Sequence, residues 1–246
     1  MSATQTSSMV PHAATTDARW HEQLAEPSLT VLVILELIGI FVVNPLNELG
    51  LSSGWVDFLV ILLVLVSALL IVWKSRVAVT VVIISFVAGI LAMILRTELP
   101  SSLTMCIDFG AKLTFLGTLT WIVGVGVLGP GRVTFHRIRG AVAIYLQIAL
   151  MFAFLYLLLA RLSPSAFSPP IVLSGPTGDI LRGARGGAVL VHFSLSTLTT
   201  LGYGDIVPVH PLARSLANLE ALIGQLFPAT ILARLVTLEL ENRRSA

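Results

Sequence analysis

Charge is scarce in this chain. Only 11% of its 246 residues are Asp, Glu, Lys or Arg, against about 25% in an ordinary soluble domain. A soluble fold of this length must cover its outside with polar groups, and too few are present. Disorder is excluded by the same shortage, because disordered chains are charge-rich and apolar-poor. Cysteine is nearly absent: Cys106 is the only one, so no disulfide forms within the chain and a cysteine-rich metal site is out. The net charge of +2 is too small to argue for a nucleic-acid partner. The histidines are scattered and no metal-ligand or nucleophile spacing occurs, so neither an enzyme nor a cofactor is expected. Residues 1–28 lack a basic start followed by an apolar run, which excludes a signal peptide and leaves a polar tail.

Apolar residues supply what is left: 56% of the chain, with a mean hydropathy of +0.93. A membrane helix needs about 20 mostly apolar residues to cross about 30 Å of hydrocarbon. Six segments meet that description: residues 29–46, ending at Asn44 and Pro45, then 55–73, 77–95, 111–128, 141–162 and 212–238. The fourth is closed by Gly129-Pro130-Gly131, and Pro211 opens the last near its first turn, where proline is tolerated. Lys74 and Arg76 lie between spans two and three, and Arg132, Arg137 and Arg139 between four and five. The link between one and two has Glu48 and Asp57 and no Lys or Arg, while Arg96, Glu98, Asp108 and Lys112 mix between three and four. The positive-inside rule then places both basic links, and both termini, on the cytoplasmic side of the plasma (inner) membrane.

Between spans five and six the pattern changes. Residues 163–187 are rich in Pro, Gly and Ser, an extracellular loop on this topology. Residues 188–200 are moderately apolar but, at about 13 residues, too short to span, a length that suits a re-entrant segment. They run into Thr199-Thr200-Leu201-Gly202-Tyr203-Gly204-Asp205. Non-helical backbone at membrane depth is tolerated only where protein buries it or water lines it. Glycines on both sides of Tyr203 permit backbone angles closed to other residues, so such a strand can turn successive carbonyls toward one axis. Four copies would stack cages of oxygens able to replace the hydration shell of a potassium ion. A chance match to Thr-x-Gly-Tyr-Gly has a probability on the order of 10⁻⁵ per starting position, and the flanking spans sharpen the signal further.

The arrangement of helix, short helix, Thr-Thr-Leu-Gly-Tyr-Gly-Asp and helix, over roughly residues 140–240, resembles the pore module of tetrameric potassium channels. The resemblance implies an all-α membrane protein: six transmembrane helices, with a re-entrant pore helix and selectivity-filter loop between helices five and six. It implies three parts: a polar tail (1–28), a four-helix membrane domain (29–129) and a pore domain (138–240). It further implies passive K⁺ conduction by a homotetramer in the lipid bilayer. The carbonyls of Thr200, Leu201, Gly202 and Tyr203, with the Thr200 hydroxyl, would be the ion ligands, and Gly204 and Asp205 the outer mouth. Gly224 falls where the family often has a hinge glycine. Departures are visible. Where many members place tryptophan in the pore helix, this chain has His192 and Phe193; Phe193 offers no donor, so the aromatic cuff is weakened or His192 replaces it. Ser196 stands where some bacterial members carry a buried glutamate.

A voltage sensor needs arginines repeated along its fourth helix. Span four has only Lys112, at its end, so steep voltage gating is not expected and the first four helices read as an auxiliary shell. The tail beyond Leu238 is too short for a cytosolic gating domain, which would have to be a separate regulatory chain. Glu36 is an intramembrane carboxylate, open to proton sensing or to pairing with a basic group. Glu220 braces the pore helix or a neighbouring subunit, or faces the ion path. Gln225 and Pro228 are candidates for cavity lining or a hinge. His210 is a solvated histidine or a pH-sensitive group at the outer mouth. An uptake transporter is disfavoured because such chains carry four filter repeats, and a membrane scaffold because a dead filter would tolerate loss of its glycines.

Overall fold

A computed structural model describes residues 28–51, 54–73, 75–98, 102–128, 135–169 and 180–244. The polar tail, Lys74, the Gly129-Pro130-Gly131 break, Arg132 and residues 170–179 lie outside the described residues. Among the described residues, seven long helices follow in chain order: α1 Ser28–Leu49, α2 Gly54–Val72, α3 Arg76–Glu98, α4 Ser102–Leu128, α5 Phe135–Leu162, α6 Ile180–Leu198 and α7 Pro211–Arg244. The protein is a helical membrane protein. On length and composition, Ser28–Leu49, Leu103–Val127 and Arg137–Leu162 can cross a bilayer; Phe58–Val72, Arg76–Ala92 and Gly186–Leu198 are shorter apolar stretches.

Several expected boundaries move. Pro45 does not end α1. Gly39–Val43 winds as a π-helical turn just before it, and this wider turn covers Phe41, whose carbonyl a proline ring at 45 would otherwise meet in regular helix geometry. The helix stops instead at Gly50, whose φ of 72° is the left-handed cap that glycine accepts without strain. Helix α4 begins at Ser102 rather than 111, so Asp108 belongs to the same helix as Lys112 and not to a link. Asp108 is buried and pairs with Lys112 at 2.8 Å one turn on, which lets both charges enter the helix together. The all-α expectation also needs one amendment. Phe167–Ser168 (β1) and Val207–Pro208 (β2) pair antiparallel, Phe167 opposite Pro208.

Helices α3, α4 and α5 pack in sequence, α6 sits between α5 and α7, and the end of α1 (Asn44–Leu49) leans on α6. One apolar cluster centres on Phe152, Tyr156, Phe167, Leu190 and Phe193, joining α5, α6 and the start of α7. A second ties Leu32, Val72, Val82, Leu119 and Ile144, one from each of α1 to α5. The outer faces of α2 to α4 remain apolar and exposed, as at Leu59, Ile84 and Trp121. A soluble surface would not carry such a continuous apolar face, whereas lipid contacts it without cost.

Candidate functional site

The strand after α6 takes its shape from one residue of that helix. The N–H groups of Leu201 and Gly202 both donate to the Ser196 carbonyl, at 2.8 and 3.2 Å. The Tyr203 N–H donates to the Ser196 hydroxyl at 3.3 Å. In a trans peptide the carbonyl points opposite to the following N–H. The carbonyls of Thr200, Leu201 and Gly202 therefore all point away from α6. The backbone follows the same alternation: Thr200, Gly202 and Gly204 have φ of 57°, 57° and 79°, with Leu201 and Tyr203 between them on the ordinary side. Thr200 is the non-glycine residue that accepts this left-handed geometry among the described residues, a conformation that costs roughly 1–2 kcal/mol in an L-residue. For the Tyr203 carbonyl no hydrogen bond of the next N–H to the described residues supplies the same constraint.

At the upper end of the strand, His192 meets two of the expected residues. Its ring stacks on Tyr203, centroids 5.5 Å apart and 19° from parallel, and its Nε2 lies 3.3 Å from Asp205 Oδ2. Phe193 instead turns into the core, edge-on to Tyr156 and Phe167. Helical geometry explains the division: adjacent positions on α6 point about 100° apart, so one ring reaches the strand while its neighbour fills the interior. At the start of α7, His210 Nδ1 accepts from the Leu212 N–H and so caps the first turn of that helix. Ala166 accepts from the N–H groups of both Val209 and His210, at 2.8 and 3.1 Å. That contact and the two-residue sheet tie the segment after the strand to the end of α5.

At the lower end, α7 passes very close to α6. A Cβ built on Gly224 would lie 1.8 Å from the Leu198 carbonyl oxygen and 2.7 Å from its carbon. Glycine is required there by the close approach alone. The same carbonyl accepts from the Tyr145 hydroxyl at 3.1 Å. Next along α7, Gln225 Nε2 donates to Thr200 Oγ1 at 2.9 Å. Pro228 lies within α7 and is exposed.

Glu220 is fully buried. It accepts from the Tyr156 hydroxyl at 2.6 Å and makes a very short contact with the Ser194 hydroxyl. One carboxyl group thus joins α7 to α5 and α6 behind the strand. Ser194 also lies 2.7 Å from the Ala149 carbonyl. Glu36 is buried in α1, and its partner is the amide of Gln147, at 2.9 Å, rather than a basic group. Gln147 Oε1 in turn accepts from Thr120 at 2.7 Å. Tyr156 and Gln147 carry no motif signal in the sequence reading, and Ser194 enters it only as one of several polar residues of the short segment. The available signal was a polar side chain inside an apolar span, which needs a partner when buried.

The arrangement offers a row of uncharged oxygens on one face of a strand, held from behind by α6, which starts at Ile180 inside the expected loop and runs 19 residues rather than about 13, with a carboxylate at one end and an amide at the other. Such a row suits a hard cation stripped of water. Comparison with known proteins points the same way. The family described as "Ion channel" matches residues 188–240. The chain is 45% identical over 51 residues to the inward rectifier potassium channel Kirbac3.1 of Paramagnetospirillum magnetotacticum, covering 20% of this chain and 17% of that one. It is 31% identical over 122 residues to Protein LctB of Bacillus caldotenax, covering 49% of this chain and 86% of that one. Protein LctB of Geobacillus stearothermophilus is 30% identical over the same length and shares. No solved structure matches the chain.

Proposed function

The chain belongs to the potassium channel family, and on that premise we propose that it forms a homotetrameric, potassium-selective pore conducting passively down the gradient. The observation that carries this reading is the gathering of three successive N–H groups on Ser196. It leaves the carbonyls of Thr200, Leu201 and Gly202 free on the opposite side, where four chains around an axis would stack them as rings. Tyr203 would add the next ring and the Thr200 hydroxyl the innermost one, with Gly204 and Asp205 at the outer mouth. Helix α6 would be the re-entrant pore helix, its C-terminal end directed at the cavity and favouring a cation there. The six-span topology, the division into a four-helix membrane domain and a pore domain, and cytoplasmic termini in the plasma (inner) membrane belong to the same proposal.

The pore is not steeply voltage-gated on this reading. Lys112 is the only basic residue of α4, and Asp108 neutralises it locally, so that helix moves almost no net charge through the field. Moving one charge through 100 mV yields about 2.3 kcal/mol, and steep gating needs several such charges. The gating stimulus would come from elsewhere, with Gly224 and Pro228 as hinge candidates in α7 and a separate regulatory subunit as another candidate source.

Flux from reconstituted liposomes tests the proposal. Potassium gradients should drive flux and sodium gradients should not; equal permeability to both ions rejects the selectivity. Gly202 has open space around it but a φ of 57°, so Gly202→Ala strains the strand without a clash. It should abolish selective flux while the protein still assembles. Normal selectivity in that variant would place the filter elsewhere.

A further inference from the structure

We propose that Gln225 supplies a ring of amide oxygens just inside the filter strand, a further site that takes a partly hydrated, potassium-sized cation. The inference rests on the tetrameric pore reading and adds to it a ligand that the strand itself does not contain.

Leu222, Gln225 and Ala229 follow one another along α7 at spacings of three and four, and all are exposed in the single chain. They form one face of the helix, and Gln225 is the polar side chain among them. Asn218, also exposed, extends the same line, but it stands seven residues earlier, about 10 Å away along the helix axis. The Gln225 position adjoins Thr200, because its amide reaches the Thr200 hydroxyl at 2.9 Å. The direction of this bond is decided by chemistry. The Thr200 hydroxyl lies 2.7 Å from the Thr199 carbonyl, to which it donates its only proton. Its oxygen can therefore only accept from Gln225, which must present its NH₂ group. The amide oxygen then faces away from Thr200, and among the described residues it accepts no hydrogen bond.

Each chain in a fourfold pore would contribute one such oxygen at the level of Thr200 or below it, on the side away from Tyr203. Neutral amide oxygens are hard donors of the kind that coordinate alkali and alkaline-earth cations. They can replace part of a hydration shell without the tight hold of a carboxylate, so an ion can pass onward. An apolar residue at 225 would leave Thr200 without its donor and the inner mouth without these ligands.

Barium applied from the side of the C-terminal end of α7 is the probe, since it is close to potassium in size and doubly charged. Wild-type protein in planar bilayers is first measured for potassium over sodium selectivity, then for the barium blocking constant. Gln225→Met keeps the length and removes the amide, and should weaken block by tenfold or more. Gln225→Glu places a carboxylate there and should strengthen block by tenfold or more. If the Met variant does not assemble, the Glu variant decides alone. A selective wild type whose variants stay within threefold of it, or shift the opposite way, overturns the amide ring and leaves the pore reading standing. A wild type that passes both ions alike overturns the pore reading and this site with it.

Discussion

Replacing Gly224 by alanine sets two physical effects against each other with opposite signs. In a helix interior, alanine is favoured over glycine by roughly 1 kcal/mol, because it loses less backbone entropy. Taken as a helix position alone, 224 should therefore be improved by the change. The tertiary contact says otherwise. The added methyl carbon would sit 1.8 Å from the Leu198 carbonyl oxygen, with the carbonyl carbon at 2.7 Å and Cα at 3.1 Å. Ordinary contact begins near ~3.5 Å, so the two backbones must separate by about 1.7 Å. These atoms are main chain at the end of α6, not the tip of a flexible side chain, and cannot swing aside. Overpacking of this kind costs roughly 1–3 kcal/mol or more. The same separation would stretch the adjacent Gln225–Thr200 bond from 2.9 Å beyond hydrogen-bonding range, losing about 0.5–1 kcal/mol. The net expectation is a loss of about 1–3 kcal/mol per chain, a fall in Tm of roughly 3–10 °C for a chain of this size. Thermal unfolding of the detergent-solubilised protein by intrinsic fluorescence measures it, alongside potassium flux, which should also fall because α7 no longer supports the strand. Gly117→Ala in α4 is the control, since nothing lies within 4 Å of its Cβ position; it should leave Tm unchanged or raise it. A Gly224→Ala protein as stable and as conductive as wild type would refute the close-approach argument.

Tyr156→Phe removes one of the two donors to the buried Glu220 carboxyl and should cost about 1–3 kcal/mol, because an acceptor is left unsatisfied in a dry site. A double-mutant cycle with Glu220→Gln should give a coupling above about 0.5 kcal/mol; additive losses would mean that the two groups do not interact. Gln147→Leu should destabilise the protein by a similar amount, since among the described residues Glu36 Oε2 already has no hydrogen-bond partner and Oε1 would lose the one it has. Adding Glu36→Leu should recover part of the loss, as happens when both members of a buried polar pair are replaced; no recovery would contradict the pairing. His192→Phe keeps a ring over Tyr203 but loses the contact with Asp205. Potassium current should then decline faster over seconds, whereas His192→Trp, which keeps an N–H donor, should hold it; identical decay in both would remove His192 from control of the outer mouth.

Periodicity and local turn chemistry were legible from the residues alone. The long apolar runs marked where the helices lie, and the chain breaks located most helix ends within a few residues. Proline misled at Pro45, because a π-helical turn can absorb a missing donor and no one-dimensional rule foresees it. The start of α4 lies earlier than expected because Asp108, counted singly, reads as a loop charge ahead of Lys112. As an ion pair one turn apart they are compatible with a helix, and their pairing is a matter of geometry.

What the sequence determined by itself is the class of the molecule and the strand we propose as its working part. Both follow from local facts: the length of apolar runs against the thickness of a membrane, and the backbone freedom of two glycines around a tyrosine. What only the tertiary structure decided is which distant groups meet, behind that strand and among the other helices. Tyr156 and Ser194 reach Glu220 from 64 and 26 positions away, Gln225 reaches Thr200 from 25, and Gln147 reaches Glu36 from 111. No period or motif encodes such separations. Helix packing sets them, by bringing together polar groups that have no water to satisfy them and must find one another.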